Sequence, residues 1–445
     1  MKRKYSAHRP LRSSGILLFV LLFLAVSFPA HAESYETDEL ESPHIAVYNV
    51  QNGVYVLTKA ADVRIAPGAT VKIMTGILAL EYFDGRLDTP VTVTASALRG
   101  LEGSSVLGLK EGETIPARDL LYALLVAGAN DAANALAIAV SGSISEFVSK
   151  MNAKAKELGA SDTLYLNATG LDNGTSYTTA ADTAKIAAYA YENPMFMQLC
   201  SARAYTVSAT NRNEEITVYT KNMLLSTQSE YYFRDARGMS SGYTDLSGYC
   251  IVSAMDTGAY PYICVTMGSE KNAAGKIGGY IDTKGLLTWA SSNFEEKKIL
   301  DTSKILGELP VRAGRGADYV LIVPEDSVYA FLDVDTDLSS LQLSLTFDEE
   351  SLGAPVEKGT KVGTVFILLD GNPIGSAALV TKSYVPRSAW LGFFADIGEI
   401  LTSKIFLCLC AALLLAAALF TFGRYFMIYK KANIKNSHKN KRDIK

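Results

Sequence analysis

Pro67-Gly68-Ala69-Thr70-Val71-Lys72-Ile73-Met74-Thr75 opens the most informative segment of the chain. A Pro-Gly turn precedes an apolar run, and the pattern predicts a helix over Thr70–Tyr82. Lys72 lies in its first turn. There the positive end of the helix dipole helps keep a lysine pKa low enough for proton transfer. Three residues earlier, on the same helix face, stands Ala69. A methyl group cannot attack a carbonyl. Thr70 does carry a hydroxyl, but its spacing to Lys72 is two residues rather than three. That turns it about 100° around the axis, away from the lysine's face. No serine elsewhere in the chain stands three residues before a lysine.

Further stretches extend the pattern along the chain: Gly103-Ser104-Ser105-Val106-Leu107-Gly108-Leu109-Lys110, Asn130-Asp131-Ala132-Ala133-Asn134-Ala135 and Met151-Asn152-Ala153-Lys154-Ala155-Lys156-Glu157-Leu158-Gly159. Gly170-Leu171-Asp172, Tyr177-Thr178-Thr179, Gly242-Tyr243-Thr244 and Gly248-Tyr249-Cys250 follow in order. Each is weak alone. Collinear from about Ile45 to Val385, they resemble the D-alanyl-D-alanine carboxypeptidase family, the low-molecular-weight penicillin-binding proteins of bacterial cell walls.

The resemblance implies a cleft where three motifs meet, and this chain departs from each of them. S-x-x-K reads Ala69-Thr70-Val71-Lys72, so the nucleophile position is Ala69. S-x-N reads Gly128-Ala129-Asn130, so the proton-relay serine is Gly128. K-T-G reads Ser240-Ser241-Gly242, and Ser240 cannot replace an ammonium near a substrate carboxylate. The histidine often found before Gly170-Leu171-Asp172 is Thr169. Lys72 and Asn130 are the retained catalytic positions. Lys72 is read as a buried polar anchor bonded to Asn130. Asn130 either bonds a bound peptide amide or caps the helix that starts there. Ser240, Ser241 and Gly242 are the substrate-binding positions. Arg234 and Arg237 are read as surface arginines rather than a substitute charge, and nothing supports rescue by Ser96, Ser104 or Ser105. No metal or other cofactor is implied.

The ends point to export and anchoring. Lys2, Arg3, Lys4, Arg9 and Arg12 precede an apolar stretch and Ala30-His31-Ala32, the form of a cleavable secretory signal over residues 1–32. Ile405–Gly423 carries no charge, and nineteen helical residues cover about 28 Å, close to a bilayer's hydrocarbon thickness. The predicted membrane helix runs over 405–429. Before it, at 389–404, Trp390, Leu391, Phe393, Phe394, Ile397, Ile400 and Leu401 recur at helical spacing, which suits a membrane interface. After it, the basic tail 430–445 predicts a cytoplasmic C-terminus. Leader and tail are basic, so the body is more acidic than the formal net charge of −4 suggests, and nothing resembles a nucleic-acid surface. Cys200, Cys250 and Cys264 are too scattered for a disulfide framework or a zinc site.

The body reads as α+β. Strands Ile45–Asn49 and Val54–Leu57 flank Asn52-Gly53, a hairpin signal. Helices follow over Leu120–Val126, Ala132–Val140, Ile144–Leu158 and Ala180–Tyr191, with Gly159 and Pro194 as stops. Strands return at Tyr249–Ala254 and Tyr262–Met267, before a helix over Tyr280–Ser291. Short β-type runs then cover Tyr319–Val323, Val328–Val334, Leu341–Phe347, Val365–Leu369 and Ala377–Lys382. With the resemblance, the expected organisation is a penicillin-binding, β-lactamase-like transpeptidase domain over 33–297 and a small all-β domain over 298–388. The expected protein is anchored to the bacterial cell membrane and faces the wall. It is a serine-type D-Ala-D-Ala carboxypeptidase homologue without catalysis, a pseudoenzyme that binds peptidoglycan stem peptides or engages wall-synthesis proteins. The alternative is an active carboxypeptidase that removes the terminal D-alanine with an unrecognised nucleophile.

Overall fold

The computed structural model describes residue 35 and residues 37–440, apart from 173 and 257–259. The leader read over 1–32 and the end of the tail, 441–445, lie outside the described residues. The chain forms two compact units. The first runs to Glu296 and includes Phe331–Thr336; the second comprises Lys297–Ala330 and the chain from Asp337 onward.

The first unit holds strands β1 (His44–Asn49), β2 (Val54–Lys59), β3 (Pro90–Thr92), β4 (Thr114–Pro116), β5 (Ala204–Val207), β6 (Ile216–Tyr219), β7 (Ala236–Thr244), β8 (Gly248–Met255) and β9 (Tyr262–Ser269). Its helices are α1 (Val71–Tyr82), α2 (Ala117–Leu125), α3 (Asn130–Ser141), α4 (Ile144–Glu157), α5 (Ala180–Tyr191), α6 (Pro194–Cys200) and α7 (Gly278–Asn293). An antiparallel sheet runs in the order β2-β1-β9-β8-β7, and β3–β4 and β5–β6 are separate ribbons. The sheet is apolar on both faces because both are covered. Strand alternation sends Ile45, Val47, Tyr262 and Cys264 into one cluster with Leu286, Leu287 and Ala290 of α7. It sends Ala46, Ile263, Val265 and Met267 into the other, with α1, α3 and α5. Helix α1 is buried from Val71 to Leu80, so it is apolar on every side rather than amphipathic. A lysine in such a helix must find its partners inside the protein.

The helix ends follow local chemistry. Ser143 caps α4 by accepting from the Glu146 amide, and Thr179 caps α5 by accepting from Asp182. The helices predicted in this unit are present to within three residues at either end. Pro194 departs from its expected role. It does not simply stop a helix but begins α6, where its missing N–H costs nothing, behind an Asn193 cap on Met195 and Phe196.

In the second unit, β11 (Gly307–Arg312), β12 (Tyr319–Pro324), β14 (Gln342–Phe347), β15 (Leu352–Gly353), β16 (Lys361–Leu369) and β17 (Asn372–Thr381) form a sheet in the order β14-β16-β17-β12-β11-β15. β10 (Phe294–Leu300) and β13 (Val328–Asp333) pair separately. Asp370 and Gly371 link β16 to β17 with positive φ at both residues, as a two-residue hairpin of right-handed twist demands. Two helices follow, α8 (Ala389–Thr402) and α9 (Lys404–Asn440). Trp390, Leu391, Phe393 and Phe394 of α8 are exposed. Within α9, residues 404–430 are long and apolar enough to cross a membrane.

Candidate active site

The site forms where the free edge of the sheet meets the start of the central helix. Gly68–Thr70 make one 3₁₀ turn that runs into α1, and this turn packs against β7. The Ser240 hydroxyl donates to the Ala69 carbonyl at 2.7 Å. Gly242, two residues on and therefore on the same face, approaches so closely that a Cβ there would lie 2.7 Å from the Ala69 methyl. Ser241 alternates to the other face, where its hydroxyl is buried beside that of Tyr280 in α7. Thr244 continues the cleft face. It donates to Asp172 at 2.7 Å and meets Ser247 at 2.8 Å, clipping the 170–172 loop to the β7–β8 turn.

Lys72 does not bond Asn130, contrary to the sequence expectation. Its ammonium donates to the Thr169 carbonyl at 2.6 Å, and Thr75, one turn along, holds the Ala168 carbonyl at 2.7 Å. Position 169 therefore contributes through its backbone. Asn130 begins α3 without a side-chain cap bond, and its buried side-chain oxygen has no hydrogen-bond partner. The neighbouring Asp131 does the positioning there. Its carboxylate accepts from the amides of Leu107, Gly108 and Leu109 at 2.8–3.0 Å, which fixes the Gly103–Lys110 segment beside the site.

The hydroxyls weighed above as substitutes for a serine at position 69 are committed elsewhere. Thr70 donates to the Pro67 carbonyl at 2.7 Å, Ser104 to Leu101 and Ser105 to Ala127, while Ser96 pairs with Thr94. Arg234 is exposed and pairs with Asp235. Gly128 adopts φ +67°, a conformation that suits glycine, and a Cβ there would meet nothing within 4 Å.

Lys72, Gly128, Ser240 and Ser241 share one narrow recess of about 20 Å³, room for a single water-sized group. Gly242 and Asn130 lie outside it. Lys221 and Asn222 complete its polar lining, and neither was singled out by the sequence pattern. They belong to no motif quoted above, so only the fold brings them to the site.

Burial pushes the Lys72 ammonium down to about 8 from 10.5, and no charged neighbour offsets it. Between those values the unfolded chain binds a proton that the folded chain does not. Stability therefore rises with pH across that window, by at most about 1.4 kcal/mol per pH unit. Lys72→Met removes this slope. Denaturant unfolding at pH 7, 8 and 9 is expected to show the variant's advantage shrinking, or its deficit growing, as pH rises. Parallel curves would show that the ammonium is not desolvated.

This geometry is that of a known family. The D-alanyl-D-alanine carboxypeptidase model matches residues 31–271, and that of the penicillin-binding protein 5 C-terminal domain matches residues 294–387. The chain belongs to the D-alanyl-D-alanine carboxypeptidase family. It is 25% identical to the D-alanyl-D-alanine carboxypeptidase DacF of Bacillus subtilis, over 86% of this chain and 96% of that one. The carboxypeptidase DacD of Francisella tularensis shares the fold with a TM-score of 0.63 at 24% identity, covering 82% of this chain and 98% of its own. Penicillin-binding protein 5 of Haemophilus influenzae aligns with a TM-score of 0.59 at 26% identity, over 78% and 98% of the two chains. Family membership and the two-part architecture expected from the motifs are thus established.

Proposed function

We propose that this chain is a non-hydrolysing member of its family that binds the D-Ala-D-Ala end of peptidoglycan stem peptides and acts in wall regulation. The observation that carries the reading is the methyl of Ala69. It occupies the turn against β7 where an attacking oxygen is needed, and the lysine one turn on is bonded to a backbone carbonyl instead. The missing relay at Gly128 and the missing cation at Ser240 support it. The hydroxyls of Thr70, Ser105 and Ser240 are each spent on a backbone carbonyl, and that of Ser241 points to the other face of β7. The Gly68–Thr70 turn, β7 and the Asp131 clamp keep the cleft formed, which favours retained binding. The apolar helix at 404–430 supports a single-pass anchor, with the body facing the wall and the basic tail in the cytoplasm.

The test uses full-length protein in detergent and a stem pentapeptide ending in D-Ala-D-Ala. Calorimetric titration is expected to show binding, with a weaker response to the D-Ala-L-Ala isomer, while the released D-alanine stays at the level of a protein-free blank. Release of D-alanine above that blank, lost on mutation of one hydroxyl residue, establishes the active alternative.

A further inference from the structure

The recess beside Ser240 has an unbalanced lining. Lys72 and Lys221 both contribute to it, and none of its lining residues is acidic. Lys72 is 9% exposed, and its one hydrogen bond, to the Thr169 carbonyl, leaves ammonium protons to spare. Lys221 is exposed and has no acidic partner among the described residues. Its backbone amide is fixed to the Val126 carbonyl at 3.0 Å, so the position is anchored while the side chain remains available. Asn222, next in sequence, is 6% exposed. Its side-chain oxygen accepts from the Leu224 amide at 3.0 Å, which orients the group, and its buried side-chain nitrogen has no hydrogen-bond partner. A buried donor left unmade costs about 1–3 kcal/mol, so the Asn222 amide calls for an acceptor. Two lysines and an orphaned amide donor line this recess, and the groups they offer share one chemical complement, an oxygen bearing negative charge.

We propose that this recess is an oxyanion site in which Lys72, Lys221 and the Asn222 amide receive one oxygen of a carboxylate or of a comparable small anion. The site replaces the positive charge that position 240 lacks. The identity of the ligand rests on the peptide-binding reading above, whereas the site itself rests on the lining alone. If that reading holds, the ligand is the C-terminal carboxylate of the stem peptide. If it fails, the same groups take a free anion.

The experiment titrates the full-length protein in detergent with N-acetyl-D-alanyl-D-alanine, with its C-terminal amide and with inorganic phosphate, each against the parent and Lys221→Met. Lys221 is exposed, so this substitution leaves the thermal midpoint within about 1 °C of the parent. The expected result is that the acid binds at least tenfold more tightly than the amide, that phosphate competes, and that Lys221→Met reduces both effects several-fold. Asn222→Leu, the second variant, removes the orphaned donor and is expected to weaken the acid while leaving the amide unchanged. Phosphate binding that depends on Lys221, with no peptide binding, upholds the anion site and overturns the peptide reading. Equal binding of acid and amide with no effect of phosphate overturns the site and shows that the recess holds water only. Discrimination that survives in Lys221→Met overturns it as well.

Discussion

The fourfold variant Ala69→Ser/Gly128→Ser/Ser240→Lys/Ser241→Thr is expected to trap a labelled penicillin as a covalent ester, whereas the parent traps none. Removing the nucleophile from a hydrolase triad costs about 10⁶ in turnover. No other change at this site approaches that size. The backbone is already arranged for a hydroxyl, because the Gly68–Thr70 turn is held between the Ser240 hydroxyl and the close face of Gly242. The restored groups carry costs of their own. Serine at 128 enters a left-handed conformation at about 1–2 kcal/mol. Lysine at 240 removes the bond to the Ala69 carbonyl, worth about 1 kcal/mol. Both are small against the 5–15 kcal/mol typical of a folded domain, so the variant folds. Ala69→Ser alone is expected to label more slowly than the fourfold variant. Mass spectrometry of tryptic peptides reads the result. An ester on the parent protein contradicts the assignment of Ala69, and a folded fourfold variant that stays unlabelled shows that more than four side chains were lost.

Gly170→Ala is expected to destabilise the protein by about 3 kcal/mol or more, the largest loss from adding a single methyl at this site. Gly170 has φ +81°, and a Cβ there would collide with the carbonyl of Gly68, which is backbone and cannot swing aside. Strain of this kind costs about 1–3 kcal/mol before any crowding is added. Gly159→Ala is the control. It has a similar φ of +71°, but its Cβ would meet nothing within 4 Å, so the conformational penalty stands alone at about 1 kcal/mol. Urea unfolding of the two variants separates strain from collision. Equal losses would mean that the 167–171 loop can shift away from the helix start, and the hydrogen bond from Lys72 to Thr169 would then be an incidental contact.

What the sequence showed and what it hid have distinct physical causes. The α+β class, the central helix and the β1–β2 hairpin at Asn52-Gly53 were legible because periodicity and turn chemistry are local. Ala69, Gly128 and Ser240 were legible because a motif has fixed spacing, so a wrong residue stands out. The partner of Lys72 was not legible. It is a backbone carbonyl 97 residues away, and carbonyls carry no residue signature. Lys221 and Asn222 were missed for a related reason, since only the fold brings them beside α1. Strand β7 is built from Gly, Ser and Ala at most of its positions, so its strand character follows from pairing with β8 rather than from propensity. Pro194 was read only as a stop because the same residue that cannot continue a helix is well suited to begin one.

The placement of β1 between β2 and β9 has a consequence for biogenesis. Ile45 pairs with Thr266, so the middle of the sheet joins the two ends of the unit. Non-local pairing of this kind pays its loop-closure entropy before it gains contacts, and it slows folding. A chain emerging N-terminus first has its β1–β2 hairpin long before the strand that must cover it. Until residue 269 is out the hairpin has an open edge, and until residue 293 is out Ile45 and Val47 have no α7 to pack against, the state in which a holding chaperone or a neighbouring nascent chain would find it.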